Sequence, residues 1–186
     1  MRTVLLVVLV LLVLLLAWFV VTYNRLVRLR NECDQGFSGI DVQLKRRADL
    51  IPNLVASVKA YAAHESATFE RVATARAQSI AAVTVAQAAA AAVMMQSALG
   101  GLFGIAEAYP ELRASENFQK LQLELTETED RIAAARRYYN TTVRRYNTAI
   151  QSVPSNLVAS IGSHSPREFF EVEDAADRAV PSAAVT

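Results

Sequence analysis

FQKLQLELTETEDRIAAARRYYNTTVRRYNTAI, residues 118–150, is the stretch from which the rest of the chain can be read. Phe118, Leu121, Leu125, Thr128, Ile132, Ala135 and Tyr139 recur at steps of three and four; Val143, Tyr146 and Ile150 continue the stripe after a one-residue shift. Side chains at that spacing line one face of an α-helix, and an apolar face must be buried against other elements. Acidic residues (Glu116, Glu124, Glu127, Glu129, Asp130) gather in the first half and basic ones (Arg136, Arg137, Arg144, Arg145) in the second, as the helix dipole favours. With few Gly and Pro and abundant Ala around it, this helix predicts an all-α protein.

After it, Pro154 and Gly162 stop the periodic pattern, and 155–165 has room for one short helical turn. Phe169-Phe170, in an acidic setting, is expected to dock onto the helices, and Ala175 to Thr186 reads as disordered. Before it, Tyr109-Pro110 ends an earlier helix and Ser115 is placed to cap the next one. From Ala77 to Ala106 there is no charged residue. Five consecutive alanines and interspersed Gln and Thr favour a buried third helix; a second membrane-inserted segment is the competing reading.

Pro52 cannot donate a helical hydrogen bond, and it predicts a boundary between a first helix and a second. The alternative is one long helix from Tyr23 to about Ile80, kinked at Pro52, which would leave much of the apolar stripe without a partner of matching length unless the chain oligomerises. Leu26, Cys33, Phe37, Ile40, Leu44 and Ile51 form the stripe before it, with Arg30 and Arg47 in the gaps. On that stripe Cys33 reads as a small buried hydrophobe rather than a reactive thiol. Gly36 and Gly39 cost the helix about 1 kcal/mol each unless close packing requires them. Leu54, Val58, Tyr61, Glu65, Phe69 and Val72 form the second stripe. Glu65 is the odd member. It lies at a leaky edge or forms a buried ion pair, for which Arg131 and Arg136 are the candidate cations.

VLLVVLVLLVLLLAWFVV, residues 4–21, contains no charged residue and is just long enough to cross a bilayer core of about 30 Å. It exceeds the apolar stretch of a secretory signal and is not followed by a small-x-small cleavage site, so an uncleaved anchor fits better. Trp18 and Tyr23 stand near its end, as interfacial aromatics do. Arg25, Arg28 and Arg30 follow it, against Arg2 alone before it. The excess of basic residues predicts a single-pass protein of the inner (cytoplasmic) membrane, N-terminus outside and C-terminal domain cytoplasmic. One cysteine excludes an intramolecular disulfide.

These pieces predict an N-terminal transmembrane helix (1–22), an antiparallel up-down four-helix bundle (23–153) with heptad stripes of the coiled-coil kind, and a tail (154–186). In that arrangement Arg144 and Arg145 share one end with Arg25, Arg28 and Arg30. The expectation is a basic collar in contact with lipid headgroups, set against a merely solvated end. Lys and Arg (19) nearly balance Asp and Glu (18), which gives no electrostatic support for a nucleic-acid partner. His64-Glu65 lacks the second histidine of H-E-x-x-H, because Thr68 stands there, and Gly100-Gly101 is not followed by the lysine of a phosphate-binding loop. No catalytic, cofactor or metal residues are assigned.

Tyr23 to Val55, Val58 to Ala77 and Leu125 to Asn147, with the NLVAS and FFE pieces of the tail, resemble the LemA family of bacterial membrane proteins. The resemblance implies an N-terminal anchor, a bromodomain-like four-helix body and no agreed catalytic residues. A relative works in magnetosome formation, which implies membrane shaping or organisation. Gly100-Gly101-Leu102-Phe103-Gly104 departs from the more regular helix of the relatives. The reading is a non-enzymatic, membrane-anchored scaffold whose partners are the lipid bilayer, a second copy of itself, and a membrane protein. An adaptor for a membrane-bound partner in signalling or envelope stress, docking through Phe169-Phe170, is the alternative.

Overall fold

The computed structural model describes residues 1–171. Among them the protein is all-α: α1 (Arg2–Lys59), α2 (Ser66–Ala81), α3 (Val85–Glu107), α4 (Pro110–Ala114), α5 (Glu116–Gln151) and α6 (Ser155–Ile161). The helices differ widely in length. α1 has 58 residues and α5 has 36, whereas α2 and α3 have 16 and 23.

Pro52 does not divide two helices; it lies inside α1. A proline there removes the N–H that would bond to the carbonyl four residues earlier, that of the buried Ala48. Arg76 of α2 supplies the missing donor, its Nε lying 2.8 Å from the Ala48 carbonyl oxygen. A side chain 28 residues away thus satisfies the acceptor that proline leaves without a partner. The chain turns instead at 60–65, where Tyr61 N–H bonds to the Val58 carbonyl and Glu65 N–H to that of Ala62. The expected stripe from Leu54 to Val72 is therefore split between α1 and α2.

The uncharged stretch is also divided. Thr84 caps α3 with a reciprocal pair: its hydroxyl accepts from Gln87 N–H, while the Gln87 side chain accepts from Thr84 N–H. Two of the otherwise unpartnered donors at the helix start are satisfied in this way.

The described chain forms two compact units. Unit 1 comprises residues 1–39 and 135–169, and unit 2 comprises 40–134 together with 170–171. Unit 2 has an apolar core made by Ile51, Leu54 and Val58 of α1, Val72 and Ala75 of α2, Met95, Leu99 and Leu102 of α3, Leu112 of α4, and Phe118, Leu121 and Leu125 of α5. α3 offers this core one face. Ala88, Ala92, Met95, Leu99 and Leu102 are buried, while Val93, Met94, Ser97 and Gly100 are exposed. Its alanines let neighbouring backbones approach, and the burial of Met95 and Leu102 supplies the large apolar areas.

In unit 1 the apolar run from Val4 to Leu16 is exposed throughout. Beyond it, α1 packs closely on α5 at Gly36, where an added Cβ would lie 3.2 Å from the Tyr139 Cα. Gly39 has nothing within 4 Å, so only Gly36 is required by packing. Cys33 is buried beside Thr142, and burial raises its thiol pKa, as the reading of an inert apolar residue predicts.

Candidate functional site: a basic cavity beside the apolar run

α1 continues without interruption from the apolar run into the arginine-bearing segment, and α5 brings its own basic end to the same place within unit 1. A cavity of about 520 Å³ lies between them, lined by Thr22, Arg25, Leu26 and Leu29 of α1 and by Arg144, Arg145, Thr148 and Ala149 of α5, with Ser152 and Ser155 closing it. The structure thus joins Arg25, Arg144 and Arg145, three of the five arginines expected to form a collar. Arg28 and Arg30 are exposed on α1 and do not line the cavity.

Among the described residues, no acidic side chain lines the cavity. Ion pairs among the described residues join Lys45 to Asp41, Arg47 to Glu129 and Arg167 to Asp34, and none of them involves the collar arginines. Three guanidinium groups therefore line one cavity without a countercharge among the described residues. Such a group presents planar pairs of N–H donors matched to phosphate or carboxylate oxygens.

Beside this cavity α5 carries a ladder of polar contacts to segment 164–169, which has no regular secondary structure. Tyr139 Oη donates to the Glu168 carbonyl at 2.8 Å, and the Asn147 side chain bonds to both the carbonyl and the N–H of Arg167. Arg167 in turn pairs with Asp34 at 2.7 Å. Tyr146 Oη and His164 Nδ1 are 3.1 Å apart, and the His164 ring also meets Tyr23 edge-on. Gly162 makes that cluster fit, because a Cβ there would come within 3.0 Å of both rings. Burial pushes the Tyr139 hydroxyl up to about 12 and raises Tyr146. It lowers the imidazole pKa of His164, with a smaller contribution from Arg30. Tyr139, Tyr146 and Asn147 thus fasten this segment to α5. Phe170 is buried, as docking requires, and Phe169 is half-exposed; the stretch 175–186 lies outside the described residues.

The buried ion pair lies elsewhere than expected. Glu65 is exposed in the turn ahead of α2, and Arg131 is exposed on α5, while Arg136 is half-buried. The buried cation is Arg47, which is 2% exposed and reaches the Glu129 carboxylate at 3.1 and 3.4 Å. The gap that Arg47 fills in the apolar stripe was the signal for it. His64 stands in the turn, and no group of three or more metal-binding side chains occurs among the described residues. A second cavity, of about 710 Å³, lies between α2 and α3, lined by Glu70, Arg71, Thr74, Val93, Met94 and Ser97 with small alanines.

The chain is similar to three magnetosome proteins. It is 26% identical to MamQ 2 and to MamQ 1 of Paramagnetospirillum magneticum, over 87% of its own length and 69% of theirs. To MamQ of Magnetospirillum gryphiswaldense it is 25% identical, over 83% of its length and 66% of the relative's. The profile of the LemA family matches residues 36–184, nearly all of the chain beyond the apolar run, and the protein belongs to the LemA family.

Proposed function

We propose that this LemA-family protein is a membrane-anchored, non-enzymatic helical scaffold that self-associates or recruits partner proteins at the bacterial cytoplasmic membrane. The observation that carries the reading is the continuity of α1: an apolar run with no partner among the described residues and a helical body share one helix. Orientation or crowding of the bodies would then be transmitted to the bilayer without an intervening linker. Arg25, Arg28, Arg30, Arg144 and Arg145 face the headgroups from the cytoplasmic side in this reading, with the N-terminus outside. Its similarity to proteins named for the magnetosome is compatible with this reading. The adaptor alternative has less support, because Phe170 is already buried within the chain and only Phe169 of the pair is half-exposed.

Sedimentation of the detergent-solubilised full chain and microscopy of liposomes carrying it test the proposal. Oligomers, together with a change in liposome shape, are expected. Strict monomers that leave liposome shape unchanged would remove it. Single cysteines at Ser97 and Ser115 in a Cys33→Ser background test the orientation: both are expected to react with an impermeant thiol reagent only after the cells are permeabilised.

A further inference from the structure

We propose that the cavity between α1 and α5 is a binding site for one anionic membrane phospholipid, its phosphate held by Arg25, Arg144 and Arg145 and its headgroup bearing free hydroxyls, as in phosphatidylglycerol. The proposal rests on the reading that residues 4–21 span a bilayer.

Three observations point to this ligand. The first is charge: the three arginines are exposed, line one cavity and take part in none of the ion pairs of the described chain. Their mutual repulsion is relieved by an anion that all three can reach, and guanidinium groups bind phosphate oxygens in pairs. Position is the second. Thr22 follows the apolar run directly, and at about 1.5 Å per residue Arg25 stands about 6 Å beyond Val21 along a continuous helix. The polar layer on each face of a bilayer is roughly 5–7 Å deep, so the guanidinium groups lie at phosphate depth. Basic pockets at this level are where lipid headgroups are held.

The third observation concerns the hydroxyls. Ser152 Oγ donates to the Thr148 carbonyl at 2.7 Å, and Ser155 Oγ donates to the Ala149 and Ser152 carbonyls. Each serine has thus spent its only proton and presents lone pairs to the cavity. Acceptors beside a phosphate site suit a headgroup that brings donors of its own. A glycerol headgroup does so; a bare phosphate monoester does not gain from them.

The test uses the full chain in two measurements. Flotation with phosphatidylcholine vesicles reads the anchor, and binding of short-chain lipids to the protein in neutral detergent reads the site. Saturable binding of dihexanoyl phosphatidylglycerol is expected, with dihexanoyl phosphatidylcholine at least tenfold weaker and inorganic phosphate a poor competitor. An R25Q/R144Q/R145Q variant should still float and lose at least tenfold in affinity. A Ser152→Ala, Ser155→Ala variant should keep binding the phosphate but lose most of the preference for phosphatidylglycerol over phosphatidic acid. Equal binding by the wild type and the arginine variant, with both still floating, would overturn the site while leaving the anchor intact. Failure of both proteins to float would overturn the anchor reading and this proposal with it. Inorganic phosphate competing as well as the lipid would reassign the cavity to a soluble anion.

Discussion

In unit 2, α1 and α5 contribute Ile51, Leu54, Leu121 and Leu125 to an apolar core completed by α2 and α3; in unit 1 the same two helices carry arginines, tyrosines and an exposed apolar run. Unit 2 is held by area removed from water, with one buried cation. Unit 1 also buries apolar side chains, among them Leu26 and Cys33 of α1 and Val143 and Ile150 of α5. It adds a glycine contact and hydrogen bonds from α5 to segment 164–169, while its longest apolar run, Val4 to Leu16, has no partner among the described residues. The most apolar windows of α1 and α3 make the contrast concrete, being 0% and 44% buried. Both helices are long and uncharged enough to cross a membrane, yet α3 finds partners in its own unit and the start of α1 does not. Length and composition alone therefore do not assign a helix to lipid; the availability of a matching apolar face does.

The largest test of this contrast compares two leucines. Leu102→Ala should lower the stability of the helical body by about 3 kcal/mol, through lost burial and a residual cavity, as read by thermal unfolding in detergent. Leu11→Ala should leave that transition where it is, because Leu11 is exposed; an equal shift for both would show that the apolar run is part of the core after all.

The buried cation gives the next effect. Glu129→Ala leaves the Arg47 charge without its carboxylate and should cost about 2 kcal/mol, below the full penalty for a buried pair because Glu129 is 43% exposed. Adding Arg47→Met should restore most of the loss. A double variant no more stable than the single one would mean that Arg47 contributes by packing alone.

Pro52 and Arg76 are predicted to be coupled. Arg76→Ala strands a buried carbonyl and should cost roughly 1–2 kcal/mol, whereas in a Pro52→Ala background, where an N–H is restored, the same change should cost clearly less. Additive effects in that cycle would dismiss the compensation.

In unit 1 the two glycines should separate. Gly39→Ala has open space and should stabilise by about 1 kcal/mol from helix propensity. Gly36→Ala pushes a Cβ against the Tyr139 backbone and should cancel or reverse that gain.

The smallest effect is acid sensitivity around His164. Burial holds its imidazole below the ordinary value of 6.5, so the folded state prefers the neutral ring. Its contribution is present in full above about pH 6.5 and is lost as pH falls from there through the lowered folded value. Arg30 and Tyr23 of α1 and Tyr146 of α5 face the ring, and the arginine opposes protonation. Hydrogen exchange of 163–169 should therefore quicken on acidification. In His164→Gln it should not; the same acceleration there would place the sensitive group elsewhere.

Much of this was legible from residue order. The 118–150 stripe predicted α5 almost to its ends, Tyr109-Pro110 marked the close of α3, and the Cys33 position predicted a buried thiol. The capping signal Thr84-x-x-Gln87 was present and marks the α2–α3 boundary. What could not be read locally was the choice at Pro52 between a boundary and a continued helix, since the donor that satisfies the Ala48 carbonyl comes from 28 residues further on. Nor could the turn at 60–65 be read, because its alanines and glutamate are good helix formers. The buried pair was misplaced for the same reason: Glu65 sits at helical spacing, but the helix that would have carried it inward stops before it.

Sequence alone determined that the chain is all-α, where α5 runs and which run has to find an apolar surrounding, because periodicity and hydropathy are properties of neighbours along a chain. Only the tertiary structure decided that α3 is buried on one face, that Arg47 rather than Arg131 is the enclosed cation, and that Arg25, Arg144 and Arg145 line one cavity. Each of these depends on what a distant segment offers, whether a matching face, a carboxylate or a second arginine-bearing helix.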